Sequence, residues 1–270
     1  MKLLLQIYYS FLFVIIYEIY DRTSWFVNLD FALELNYIFF AKPLGFFNLP
    51  AEIHSVIFLM VLFCCLLSIF KPWRALRVLT AFFTLVFFSV LYSYEKMDYL
   101  YHAFILSSVL VCFFNENEDL NSRPNLFTLR LIQGALLSHY FMSGLWKLRK
   151  MISSDFEFSM QEIAMGSVVD TLVERNIYPI LKFLLDEPWP LSFGYFCVLI
   201  FQLTALTPVF LNRFFKLYGV LALLFHFWTG LIVIDYFEPT VLAVLFFLIL
   251  AESVREHKLF HASPLSNKTN

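Results

Sequence analysis

Charge is scarce in this sequence. Of 270 residues only 19 are Lys or Arg and 21 are Asp or Glu, together 15%, against about a quarter in an ordinary soluble domain. That deficit excludes a water-soluble globule, because 60% of the chain is apolar and 20% aromatic, with 35 Phe. The solvent for so much greasy surface is expected to be lipid. The basic residues form no dense run and the formal net charge is −2, so no stretch neutralises a row of phosphates and no nucleic-acid partner is expected. Low polarity also excludes a disordered chain, apart from the tail at 263–270. No repeat of fixed period is visible. No pair of Gly- or Pro-broken spans recurs in two related halves, which argues against a secondary transporter.

The four cysteines carry little information. Cys64, Cys65, Cys112 and Cys197 sit inside apolar runs, at spacings that fit neither a zinc site nor a thioredoxin motif. They are expected to act as small hydrophobes, and no metal is predicted. Lys2 and the run 3–16 look like a secretory signal, but no small-x-small cleavage site precedes Glu18, Asp21 and Arg22, so this segment is expected to stay as a membrane anchor.

A bilayer core takes about 20 apolar residues per helix. With the charges as punctuation, the qualifying stretches are 3–20, 53–70, 75–93, 98–114, 127–147, 189–211, 216–234 and 239–254. The predicted fold is therefore all-α: a polytopic transmembrane helical bundle of about eight spans. An interfacial amphipathic segment is expected on its outer side. Residues 1–258 are read as one transmembrane domain and 259–270 as a flexible cytoplasmic tail.

Orientation follows from the basic residues. With eight spans, Lys71, Arg74, Arg77, Arg123, Arg130, Arg213, Lys216, Arg255 and Lys258 fall on one side, which the positive-inside rule makes cytoplasmic. Both termini are then cytoplasmic, in a plasma (inner) membrane. The cluster Lys147, Arg149 and Lys150 lands on the outer side, against the rule. Segment 31–47 is too polar to span and too greasy to float, so it is expected in the headgroup layer or re-entering between helices. Segment 161–186 places Met165, Val168, Val169, Leu172 and Val173 at helical spacing before Pro179 breaks the pattern. It reads either as a lid over a lipid-soluble substrate or as plain packing.

Ionisable side chains in lipid cost roughly 2.5 to 3.5 kcal/mol each at a helix centre. Glu18, His54, His102, Lys147 and Asp235 all fall near the expected outer leaflet, with His139 and His226 deeper. On the fifth span Lys147 shares a face with Ser143, Tyr140 and, more loosely, His139, through offsets of four, seven and eight. Each also has a plainer reading. Glu18, His54 and Asp235 mark the membrane boundary, and Lys147 snorkels to the headgroups beside Arg149 and Lys150. His226, flanked by Leu223, Leu224, Phe225, Phe227 and Trp228, is expected to be hydrogen-bonded inside the bundle.

The run from Leu129 to Leu148 ends in Tyr140-Phe141-x-x-Gly144-x-x-Lys147-Leu148. It resembles the signature of the HTTM family, the horizontally transferred transmembrane domain shared with vitamin K-dependent gamma-carboxylase. Other pieces agree in order: His102 opening the fourth helix, Phe158-Ser159-Met160, and His226 followed by Gly230 and Asp235-Tyr236-Phe237. The similarity covers most of residues 1–255.

The resemblance implies a lyase-type carboxylase in which Lys147 is the base that deprotonates a reduced quinone, similar to vitamin K hydroquinone. The oxygenated cofactor then removes a proton from a glutamate side chain, to which carbon dioxide adds. His102 and His226 match family histidines near the quinone, and Tyr140, Ser143 and His139 are expected to line its site. An amine held among apolar groups serves as a base more readily than one in water. The expected partners are membrane lipid and a peptide at the outer face. The sporulation-delaying protein B group resembles the same domain and is associated with peptide-toxin maturation. The alternative is therefore a non-catalytic family member acting as scaffold, maturation partner or immunity factor.

Overall fold

The computed structural model describes residues 1–27, 51–94, 100–153, 178–187, 189–232 and 239–262. The proposed segment 31–47, the turn at Glu95, most of 161–186 and Asp235 lie outside the described residues, as do the side chains of His54 and His102. Among the described residues every regular element is helical. The order is α1 (Lys2–Val27), α2 (Ala51–Phe70), α3 (Arg74–Tyr94), α4 (Leu100–Leu110) with a 3-10 turn at Val111–Phe113, and α5 (Arg123–Ser153). Then come α6 (Tyr178–Asp186), α7 (Trp189–Leu203), α8 (Thr207–Leu211), α9 (Phe215–Ile232), α10 (Pro239–Val244), a π-helical segment at Leu245–Leu250, and α11 (Ala251–Ala262).

The all-α expectation holds. Lys2–Asp21 and Ser192–Leu211 are each long and apolar enough to cross a bilayer, and Ser55–Phe70 and Phe215–Phe227 are apolar but shorter. Pro179, expected to end a helix, sits in the first turn of α6 instead, where a missing N–H costs nothing. The last helix continues to Ala262, past the expected start of a tail at 259.

The chain divides into two compact units, Met1–Ile132 with Arg255–Asn270 and Gln133–Val254. In the first, α1, α2 and α3 pack side by side around Leu5, Leu12, Ile16, Val61, Cys65 and Phe87, all nearly inaccessible. Tyr20 stacks flat on Phe58 with ring centroids 3.7 Å apart and reaches Ser55 Oγ at 2.9 Å. Arg77 is fully buried, yet its charge is answered. It donates to the carbonyls of Val111 (3.0 Å) and Phe114 (2.8 Å) and pairs with Glu116 at 3.3 Å. These carbonyls end a helix, so the guanidinium both satisfies orphaned acceptors and meets the negative end of the helix dipole. Buried Asn125 ties down the following loop: its Oδ1 accepts from the Asn115 N–H, and its Nδ2 donates to the carbonyls of Asn115 and Asp119.

The second unit has its own core of Leu137, Tyr140, Phe201, Ala205, Phe215, Ala222, Val244 and Leu248. Here α9 runs against the π-helical segment. A Cβ at Gly219 would stand 2.8 Å from Ile249 Cγ1 and 2.9 Å from Leu248 Cβ, so only glycine permits the approach. Gln133, buried on α5, donates through Nε2 to the Phe247 carbonyl of that segment (2.9 Å) and to buried Glu252 (3.0 Å). A π turn leaves a carbonyl free of its usual i+4 donor, and a side-chain amide is a natural substitute.

Candidate functional site

The part of α5 that belongs to the second unit carries four of the six predicted site residues, His139, Tyr140, Ser143 and Lys147, and α9 of the same unit carries His226. Lys147 and Ser143, one turn apart, meet as their spacing predicts: Lys147 Nζ donates to Ser143 Oγ at 3.2 Å. The amine has a second acceptor across the unit, Gln202 Oε1 on α7, at 2.8 Å, and Gln202 Nε2 closes the triangle to Ser143 Oγ at 3.4 Å. Gln202 is buried and Lys147 half-buried, whereas Arg149 and Lys150 are exposed and the Lys150 ammonium lies over the Trp146 ring, 3.8 Å from its centroid. Three neighbouring cations thus have different surroundings. Lys150 lies over an indole face, while Lys147 turns toward the polar triangle.

Helix α5 reaches α7 this closely because of Gly144. A methyl there would lie 2.8 Å from Gln202 Cβ and 3.1 Å from two backbone atoms of α7. The glycine of the Tyr140–Leu148 motif therefore has a packing role: it lets the lysine one turn away meet an amide on the opposing helix.

Tyr140 and His226 form a second polar pair. The hydroxyl and Nε2 are 2.7 Å apart and both residues are buried, with the imidazole tautomer deciding which donates. Phe201 and Phe225 surround the pair, at ring distances of 5.4 and 6.2 Å from Tyr140. His139 meets Tyr140 edge-on, ring centroids 5.9 Å apart, and is half-buried. Residues 140 and 147 are two turns apart, about 10 Å along the axis. His226 therefore partners Tyr140, at a different level of α5 from the lysine. His102 opens α4 in the first unit, and its side chain lies outside the described residues.

Gln202 was not singled out from the sequence. Its signal was present, since it is a lone amide in the apolar run 189–211, and an uncompensated amide in such surroundings costs several kcal/mol, roughly 2 to 7 by transfer scales. No group of three or more His, Cys, Asp or Glu side chains converges as metal ligands among the described residues. Cys64, Cys65 and Cys112 are buried free thiols, and Cys197 is exposed on α7. No family model, curated protein or solved structure matches the chain.

Proposed function

We propose that the protein is a multi-pass membrane protein in which Lys147 acts as base on an acidic O–H group of a lipid-soluble cosubstrate of the hydroquinone type. Through that cosubstrate it modifies a peptide at the outer face, as the HTTM resemblance implies. The observation that carries the reading is the bracing of one half-buried amine by Gln202 and Ser143. A neutral amine that donates two hydrogen bonds keeps its lone pair at a fixed vertex. A phenol O–H brought to that vertex gives up its proton to nitrogen, and the resulting ammonium retains both acceptors. A bound hydroquinone would supply that O–H and a flat apolar ring. The donor set fits it, and the exposed Leu145 and Trp146 beside the lysine suit a ring arriving from lipid.

The multi-pass part of the proposal is supported by the outer surfaces. Phe63, Leu67 and Phe70 on α2, Phe82 on α3, Phe193 and Ile200 on α7 and Leu217, Leu224 and Phe227 on α9 all point away from protein. Continuous apolar exteriors of this kind are stable against hydrocarbon rather than water. The eight-span arrangement, with both termini in the cytoplasm and Lys147 facing outward, rests on the distribution of basic residues.

One observation favours the non-catalytic alternative: the hydrogen bonds that Gln202 makes with Lys147 and Ser143 pin α5 to α7, which a scaffold, maturation partner or immunity factor would use without chemistry. Mass spectrometry of secreted peptides from cells carrying the protein or its Lys147→Ala variant separates the two. A peptide mass change lost in a variant that remains membrane-integrated supports the base. Identical peptide masses reject it in favour of the pin.

A further inference from the structure

The turn between α2 and α3 presents two cations in a fixed frame. Lys71 N–H still bonds the Leu67 carbonyl (2.9 Å), Trp73 N–H bonds the Lys71 carbonyl (2.8 Å), and Arg77 N–H bonds the Trp73 carbonyl (2.9 Å). Pro72 between them is buried and has no N–H to satisfy. The corner is braced from both sides. Gln6 Nε2 donates to the Ile69 carbonyl at the end of α2 (2.8 Å), and Ser68 and Thr80 hydroxyls meet at 3.3 Å across the hairpin. Of the three basic residues here, Arg77 is spent inward on Val111, Phe114 and Glu116. Lys71 and Arg74 are exposed and hold no salt bridge among the described residues. Trp73 is 59% exposed, and the Lys71 ammonium stands 4.9 Å from the centre of its ring.

Each of the two cations heads an apolar stripe. Phe63, Leu67 and Phe70 on α2 and Lys71 just past its end follow offsets of zero, four, seven and eight; on α3, Arg74, Val78 and Phe82 follow zero, four and eight. All the apolar members are exposed, Phe70 by 68% and Phe82 by 56%. Two parallel greasy tracks, each ending in a positive charge, with an indole between the charges, match the anatomy of an anionic lipid: two chains below a phosphate, at the depth where Trp settles.

We propose that this corner binds an anionic phospholipid, its phosphate held between Lys71 and Arg74 and its chains lying on the Phe63–Phe70 and Val78–Phe82 stripes. The inference rests on the membrane reading above and is independent of any chemistry at Lys147. Two cations near a lipid surface make a difference of about 30-fold in binding an anionic headgroup.

Native mass spectrometry of the purified full-length protein, offered equimolar phosphatidylglycerol and phosphatidylcholine, tests it. The wild type should retain phosphatidylglycerol. The Lys71→Gln/Arg74→Gln double variant should lose that preference by about 30-fold, and Lys182→Gln, which removes an exposed cation on α6, should keep it. Unchanged preference in the double variant, or equal loss in Lys182→Gln, overturns the site. Displacement of the lipid by excess glycerol 3-phosphate also overturns it, because the site would then read free phosphate. Carbonate extraction of the same membranes keeps the two readings separable. Protein released by carbonate refutes membrane integration itself, whereas integrated protein without lipid preference refutes only this site.

Discussion

Gly144 and Gln202 stand so close that a single methyl on the glycine would lie 2.8 Å from the glutamine Cβ. The contact brings the Gln202 amide within 2.8 Å of the Lys147 amine. Gly144→Ala gains up to about 1 kcal/mol of helix propensity, but it must push backbone on α7 as well as side chain. Overpacking of that kind costs about 1 to 3 kcal/mol. The net expectation is destabilisation together with loss of the Lys147-dependent product. Thermal unfolding of the purified protein checks the first. A melting temperature at or above wild type would show that α7 yields without strain.

Gln202→Leu keeps the volume and removes the acceptor. The lysine then retains Ser143 alone, and a half-buried amine deprived of one partner costs about 1 to 3 kcal/mol. Gln202→Glu keeps an acceptor oxygen at the same place and should restore most of that stability. If Leu and Glu melt alike, the 2.8 Å contact contributes nothing measurable.

The Tyr140–His226 pair should behave as a unit. Tyr140→Phe strips a buried hydroxyl from Nε2 and is expected to cost about 1 to 3 kcal/mol. His226→Leu should cost a similar amount. In the double variant the losses should overlap rather than add, with a coupling of about 0.5 to 3 kcal/mol. Additive losses in unfolding experiments would mean that the 2.7 Å contact is incidental.

Several of these features were legible in the sequence, and the reasons differ. Segments 53–70, 75–93 and 216–234 agree with α2, α3 and α9 to within two residues at every described end, because charges and Pro flank the apolar runs. The Lys147–Ser143 contact follows from helical spacing alone. Helix α5 begins at Arg123 rather than 127 and runs on to Ser153: hydropathy marks what lipid tolerates, whereas a helix extends into polar residues freely.

The single run 189–211 is in fact α7 and α8, parted by a turn at 204–206. Thr204 donates from its hydroxyl to the Ile200 carbonyl (2.7 Å), and Pro208 opens the next helix without an N–H. The pairing of Lys147 with Gln202, 55 residues away, and the π turn facing Gly219 depend on how helices pack. Periodicity along one chain does not contain that information.

In the first unit the buried Arg77 offers a separate test. Arg77→Met preserves length but strands the Val111 and Phe114 carbonyls and the Glu116 carboxylate. Removing one partner of a buried charged group costs about 3 to 5 kcal/mol, so the variant should lose most of its thermal stability. A melting temperature within a degree or two of wild type would show those carbonyls finding water instead.

The Lys147 amine is turned from water toward Gln202 and Ser143, and three residues further along α5 lies a built-in control. Lys150 is exposed and Lys147 half-buried against Gln202. The protein in lipid nanodiscs is treated separately with a water-soluble and a lipid-soluble acylating reagent, and each lysine is quantified by peptide mass spectrometry. Lys150 should be acylated by both reagents and Lys147 only by the lipid-soluble one. Acylation of Lys147 by the water-soluble reagent as fast as that of Lys150 would contradict the account.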